Sequence, residues 1–323
     1  MVHRTVTRRG RAVVAPRGWL IQNSASLPGV WHAERVDLAT SVLAWYRRSA
    51  RDLPWRAANA TPWAVLVSEI MLQQTPVTRV EPVYHAWLAR WPTPADLAGA
   101  RPGDAVRMWG KLGYPRRALR LQECAVVLTE RFGGEVPADV DALVTLPGVG
   151  SYTARAVAAF AYRQRHPVVD TNVRRLIARA IRGQAQAGPA APVRDHAEVA
   201  ALLPLEAEAA ARLSVALMEL GALVCTARSP RCPSCPLADR CAWRAAGAPQ
   251  PTGPAARRQR FAGTDRQVRG LLLDVLREAD DPVERAALDV VWPDPVQRER
   301  ALDTLVVDGL VDPRPDGRFA LPG

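Results

Sequence analysis

Leu146-Pro147-Gly148-Val149-Gly150 separates two stretches of helical period, Val140 to Leu146 and Ser151 to Arg163. A turn with two glycines exposes backbone N–H groups at the start of the second helix, where the helix dipole favours an anion. Such a turn is either a tight interhelical connection or a seat for a DNA phosphate that reads no base. Outward from it the period stays helical. Leu38, Val42, Trp45 and Tyr46 form one stripe behind a cap at Asp37; Thr61-Pro62 opens a second helix through Val65, Leu66, Glu69, Ile70 and Leu72. Val77 to Trp91, Ala105 to Trp109, Arg116 to Phe132, Thr171 to Arg182 and Ala209 to Leu220 follow the same period. Alternating strand-like runs are nearly absent before residue 300, so the body is all-α.

The chain has 323 residues, 48% apolar and 23% charged, with a mean hydropathy of −0.10. That is about two domains at ~100–200 residues each. No apolar run approaches the ~20 residues of a membrane span. A fibre, a membrane-spanning protein and a small disulfide scaffold are excluded.

Lys and Arg number 43 against 32 Asp and Glu, a net charge of +11, and Lys111 is the only lysine. From Thr264 onward there are 8 Arg against 13 acids, a balance of −5, so residues 1–263 carry +16. A positive body with an acidic tail points to a polyanion held by the body.

Residues 1–33 hold five arginines and no acid, with no clear period before Asp37; a disordered or extended segment over 1–35, or a start assigned too early, is expected there. Residues 246–263, with their prolines, glycines and Arg257-Arg258-Gln259-Arg260, read as a linker. Residues 264–323 show three helical stretches, near 265–278, 284–291 and 295–308, and then an extended pair, Leu310-Val311 and Arg318 to Leu321. This order predicts a small winged-helix-like C-terminal module.

Cys225, Cys232, Cys235 and Cys241 stand in a C-x6-C-x2-C-x5-C window. Four thiolates so close suit one soft centre, either an iron–sulfur cluster or tetrahedral zinc. Cys124, between Leu121 and Leu128, reads as a buried apolar residue. Asp170, in Val168-Val169-Asp170-Thr171-Asn172, stands where an N-cap belongs; a carboxylate fixed there is also rigid and able to face a developing cation. Glu69 is the odd residue of an apolar helix. It is either at that helix's solvent edge or in a wall that raises its pKa and makes it a general acid.

The order of motifs adds a resemblance. Leu53-Pro54-Trp55-Arg56, Ser68-Glu69-Ile70-Met71-Leu72-Gln73-Gln74-Thr75, Leu112-Gly113-Tyr114, Leu146 to Gly150, Val169-Asp170-Thr171-Asn172-Val173 and the cysteine window occur in sequence. Over roughly residues 36–245 they resemble the MutY-type adenine DNA glycosylases, in the iron–sulfur branch of the helix-hairpin-helix superfamily. The resemblance implies a two-lobed fold: a six-helix barrel lobe over 62–166, and a cluster lobe over 36–61 and 167–245 in which the four cysteines ligate a [4Fe-4S] cluster.

The implied substrate is double-stranded DNA with adenine mispaired with 8-oxoguanine or guanine. Glu69 is then the general acid that protonates adenine N7, and Asp170 stabilises the oxocarbenium-like sugar. Tyr152 stands where lyase-type relatives carry a Schiff-base lysine. Trp55, Arg56 and Glu219 surround the flipped adenine, Gln74, Thr75 and Tyr114 supply the wedge and the contacts to the opposing base, and Gly148 and Gly150 hold phosphate. A monomer in the cytoplasm, associated with the nucleoid and without a membrane partner, is expected; no protein partner of the C-terminal module is indicated.

The chain also departs from the family. The tail is too short and acidic for the Nudix-like domain common there, Ser214-Val215 stands where many relatives carry Asn-Gln, and Pro115 replaces a tyrosine after Tyr114. Two rivals remain at this level: an endonuclease III-like glycosylase with lyase activity, which needs an amine in the hairpin helix, and a non-catalytic metal-containing DNA-binding regulator.

Overall fold

The computed structural model describes residues 28–251 and 261–323. Helix α1, Pro28–Ser49, begins well before Asp37. Its first residue is a proline, which at the first helical position loses no hydrogen bond. Asp37 therefore lies inside the helix rather than capping it, and its carboxylate pairs with Arg240. The expectation of a disordered or extended segment is corrected over 28–35; residues 1–27 lie outside the described residues, as do 252–260 of the expected linker.

Helices α2, Pro62–Leu72; α3, Val77–Arg90; α4, Pro94–Ala98; α5, Pro102–Trp109; α6, Arg116–Phe132; α7, Val140–Leu143; and α8, Ser151–Tyr162, build the first lobe. α2 is its centre and packs against α3, α6 and α8. Thr61 caps it, accepting from the Ala64 N–H at 3.1 Å, and every residue from Trp63 to Met71 is buried. A helix apolar all round belongs in a core. The second lobe joins α1 to α9, Thr171–Ala180; α10, Pro192–Ala200; α11, Ala207–Leu223; and α12, Ala242–Ala245. Its own core runs through Val42, Trp45, Val173, Ile177, Leu213 and Leu217. Small residues Ala156, Ala159 and Ala211 let α8 and α11 meet between the lobes.

The C-terminal residues form α13, Asp265–Glu278; α14, Arg285–Asp289; α15, Pro295–Val307; and a hairpin of β1, Asp312–Pro313, and β2, Phe319–Ala320. The register pairs Asp312 with Ala320 and Pro313 with Phe319, and Val283 bridges to Phe319 on the other side. The pairing starts just past Leu310 and Val311, which are buried instead. Val268, Leu272, Leu276 and Leu305 of this module share one continuous core with the first lobe. No described helix is long and apolar enough to cross a membrane.

Candidate active site and metal centre

Glu69 lies within the buried wall of α2, at 6% exposure, so the solvent-edge reading is excluded. Burial pushes its carboxyl up to about 7; Arg56 opposes this, the Asp170 charge adds to it, and a hydrogen bond from Tyr152 pulls it back. The Tyr152 hydroxyl, on α8, also lies 3.9 Å from Met218 Sδ. Burial and the two carboxylates hold the phenol well above its usual range.

Asp170 caps α9 as expected. Its Oδ1 accepts from the Val173 N–H and its Oδ2 from Asn172 Nδ2, both at 2.7 Å. Burial raises its pKa, and these hydrogen bonds together with the Arg175 charge hold the rise down. The two carboxylates thus come together from different lobes into opposite surroundings.

Asn172 passes the connection on. Its Oδ1 accepts from Arg175 Nη2 at 2.8 Å, while Arg175 Nε donates to Cys225 O at 2.7 Å and Nη2 to Gly221 O at 2.7 Å. Gly221 admits no side chain here, since a Cβ would sit 2.7 Å from Asn172 O. Asp170 is therefore two side chains away from a cysteine of the metal window. Arg179, also buried, donates to Thr226 O at 2.7 Å and Ala227 O at 3.0 Å, approaches Cys225 Sγ at 3.5 Å, and stacks 4.8 Å from the Trp243 ring.

Cys225, Cys232, Cys235 and Cys241 form no disulfide and line one pocket. Four thiols around one pocket are the donor set of a thiolate-held iron–sulfur cluster and equally of tetrahedral zinc. Cys124 is buried and apart from them.

Glu219, on α11, has no exposed side-chain surface and has both oxygens taken. Arg51 donates from its N–H at 3.1 Å, from Nε at 2.7 Å and from Nη2 at 2.8 Å; Arg56 Nη2 donates at 2.9 Å. These partners outweigh burial and hold the carboxyl down at about 2. Arg56 Nη1 is buried with no hydrogen-bond partner. Trp55 packs in the core, edge-on to Tyr84 at 5.2 Å between centroids. Ser214 donates to His166 O at 3.1 Å.

Gln74 and Tyr114 both have left-handed backbone, at φ +57° and +48°, and Tyr114 is half exposed. One half-buried guanidinium joins their loops. Arg117 Nη1 donates to Ile70 O, Met71 O and Gln73 O at 2.6–3.0 Å, closing the end of α2, while Nη2 reaches Thr75 Oγ1 at 2.9 Å and Gly113 O at 3.0 Å. The Thr75 hydroxyl lies 3.2 Å from Leu112 O, tying the two loops a second time.

At the hairpin, Gly148 takes φ +78° and a Cβ there would press on Arg120 Cβ at 3.0 Å. Gly150 opens α8 with no side-chain cap on its first turn. Lys111 lies elsewhere, paired with Asp274 at 3.3 Å. Arg51, Arg117, Arg175 and Arg179 were not distinguished by the sequence, and Asn172 was read only as part of a motif.

Residues 67–195 match the family of HhH-GPD superfamily base excision DNA repair proteins, and residues 225–241 match the iron-sulfur binding domain of endonuclease III. The adenine DNA glycosylase of Mycobacterium tuberculosis (strain ATCC 25618 / H37Rv) is 62% identical over 285 residues, 88% of this chain and 93% of that one. The chain belongs to the adenine DNA glycosylase family. The enzyme of that name from Mycolicibacterium smegmatis is 61% identical over 87% of this chain and 95% of its own length, and the human one 39% identical over 66% and 40%. A solved thermostable thymine-DNA glycosylase superposes with a TM-score of 0.61 at 25% identity, covering 68% of this chain and all of that one. A non-covalent endonuclease III–DNA complex gives 0.58 at 23%, covering 67% and 98%. The cysteine window is thus an iron–sulfur site, and the zinc and non-catalytic regulator readings fall.

Proposed function

We propose that this glycosylase takes adenine paired with 8-oxoguanine or guanine out of double-stranded DNA and hydrolyses its N-glycosidic bond without a lyase step. The contrast between Glu69 and Asp170 carries the reading. Adenine leaves poorly as an anion, so N7 needs a proton as the C1′–N9 bond breaks. Glu69, at about 7, still holds one near neutrality. The sugar left behind carries positive charge, which a fixed carboxylate stabilises, and Asp170 is fixed by Val173 and Asn172. Water then completes the hydrolysis, as in the two-carboxylate division of glycosidases.

Arg56 links the acid to Glu219, and its unpartnered Nη1 is a donor for the flipped base. Glu219 acts on the base through Arg51 and Arg56, because its own oxygens are occupied. Trp55 forms part of the wall behind them. Gln74 fills the space left by the extruded nucleotide, with Thr75 and Tyr114 toward the opposing base. The uncapped first turn of α8 after Gly148 and Gly150 holds a phosphate.

Cys225, Cys232, Cys235 and Cys241 would hold a [4Fe-4S] cluster, whose contribution is to fix the 225–241 loop against α9. Tyr152 in place of a lysine, and the pairing of Lys111 with Asp274, disfavour the endonuclease III-like alternative. The C-terminal residues fit a winged-helix-like arrangement, and the enzyme works as a monomer on chromosomal DNA in the cytoplasm.

The test is single-turnover excision on A:8-oxoguanine, A:G and oxidised-pyrimidine duplexes. Free adenine from the first two, with the strand left uncut until alkali is added, is the expected result. Strand cleavage at an oxidised pyrimidine would overturn it.

A further inference from the structure

We propose that the C-terminal module braces the Gly110–Pro115 segment, with Asp274 and Asp308 as positioning residues, and thereby sets discrimination between bases opposite the adenine. The proposal rests on the reading above that Tyr114 faces that base.

The module is locked to α5, the helix that leads directly into this segment. The Gly103 N–H donates to Pro322 O at 2.7 Å, and a Cβ at Gly103 would lie 2.5 Å from that oxygen. Arg107 of α5 donates to Arg277 O at 3.0 Å and Ala279 O at 2.7 Å, and Arg277 returns a bond to Val106 O at 3.2 Å. The two sides thus exchange guanidinium-to-carbonyl bonds across a shared apolar core.

Beyond α5 the module grips both ends of the segment. Asp274 pairs with Lys111 at 3.3 Å, and Asp308 pairs with Arg116 at 3.2 Å. Each carboxylate is itself held from α13, Asp274 by Arg277 at 3.1 Å and Asp308 by Arg269 at 2.5 Å. Gly110, just before the first grip, takes a φ of +52°, and Gly113 and Tyr114, between the two, take +85° and +48°. A non-glycine residue in that region is strained and persists only where its surroundings over-determine it. Arg117 holds the segment from within, and the module holds it from outside.

The charge distribution favours a brace over a phosphate clamp. Arg285 pairs with Asp289 and Glu299, Arg298 with Asp289, and Arg300 with Asp265. These arginines are engaged within their own module, whose balance is −5.

The experiment uses the full-length protein and the variant Asp274→Asn/Asp308→Asn. Hydrogen exchange at residues 110–115, without DNA, reads the brace itself. Single-turnover excision on A:8-oxoguanine and A:G duplexes reads its consequence. Exposed ion pairs are worth up to about 1 kcal/mol each, a factor of about five. Exchange should accelerate about fivefold, and the ratio of rates on the two duplexes should move about fivefold toward one. The melting temperature should stay within a few degrees. The conservative variant Asp274→Glu/Asp308→Glu, which keeps both carboxylates for Lys111, Arg277, Arg116 and Arg269, should keep both values near wild type, which simple loss of packing would not.

Unchanged exchange at 110–115, or faster exchange with an unchanged rate ratio, would overturn the proposal. Wild-type protein that excises adenine from neither duplex would instead overturn the reading of the active site, with exchange still deciding the brace.

Discussion

Two carboxylates brought near one another from different lobes stand in contrasting surroundings. Glu69 sits in a helix wall that is apolar on every side, with its pKa lifted to about 7. Asp170 sits at the polar start of α9, where a backbone N–H and a side-chain amide fill its lone pairs. Burial raises both carboxyls, but Glu69 has the Arg56 charge and a single hydrogen bond, from Tyr152, to oppose it, whereas Asp170 has hydrogen bonds from Val173 and Asn172 and the charge of Arg175. One fold thus gives the same functional group two surroundings, by placing one inside a helix and the other at the end of one, and the proposed division into acid and anion rests on that difference.

The harshest way to break this contrast is to remove the proton. Glu69→Gln leaves the shape of the wall but cannot protonate N7, and excision should fall by about 10²–10⁴-fold with DNA binding retained. Single-turnover rates check it. Asp170→Asn should cost about 10²–10³-fold. It also sets the new amide against Asn172 Nδ2, donor to donor, which should lower stability by about 1–2 kcal/mol in denaturant melts.

The same contrast appears in stability. A carboxyl whose folded pKa is raised stabilises the fold fully below its unfolded value of 4.5 and loses that contribution as pH rises through about 7. A shift of that size corresponds to about 3 kcal/mol. Glu69→Gln should therefore be more stable than wild type by up to about 3 kcal/mol at pH 8, with the gap closing near pH 4.5. Urea unfolding at the two pH values measures it. Gly221→Ala sharpens the other side of the comparison. It forces α11 against Asn172 and should cost about 1–3 kcal/mol, with a loss of activity through Asp170. The smallest effect expected is from Asn172→Ala, which removes one of the bonds to Asp170 and should lower excision less than tenfold.

The sequence made the contrast legible only in part. Thr61-Pro62 and Asp170 are local cap signals, and the structure places α2 and α9 directly behind them. α6 runs from Arg116 to Phe132 as the apolar period indicates, and the cysteine spacing marked the metal window. The start of α1 was missed because residues 28–36 carry no apolar period, and short α4 and α10 gave too few turns to recognise. The arginines that hold the site together were invisible for a different reason. All but one of the 43 basic residues are arginine, so nothing in composition or spacing singles out Arg51, Arg117, Arg175 or Arg179. Their roles arise from distant partners, such as Glu219 for Arg51 and Cys225 for Arg175. The burial that lifts the Glu69 carboxyl above the range of a surface acid is likewise a tertiary property. Its helix shows the apolar neighbours, but only the packing of α3, α6 and α8 closes the wall.

The pH dependence of excision tests the division of labour most directly. Measured as kcat/KM on an A:8-oxoguanine duplex between pH 5 and 9, it reports the free enzyme's essential groups. The rate should fall as pH rises, with an apparent pKa of about 7 set by Glu69, and Glu69→Gln should abolish that limb. A wild-type rate that stays level from pH 6 to 9, or a falling limb that survives in Glu69→Gln, would contradict the assignment of Glu69 as the acid.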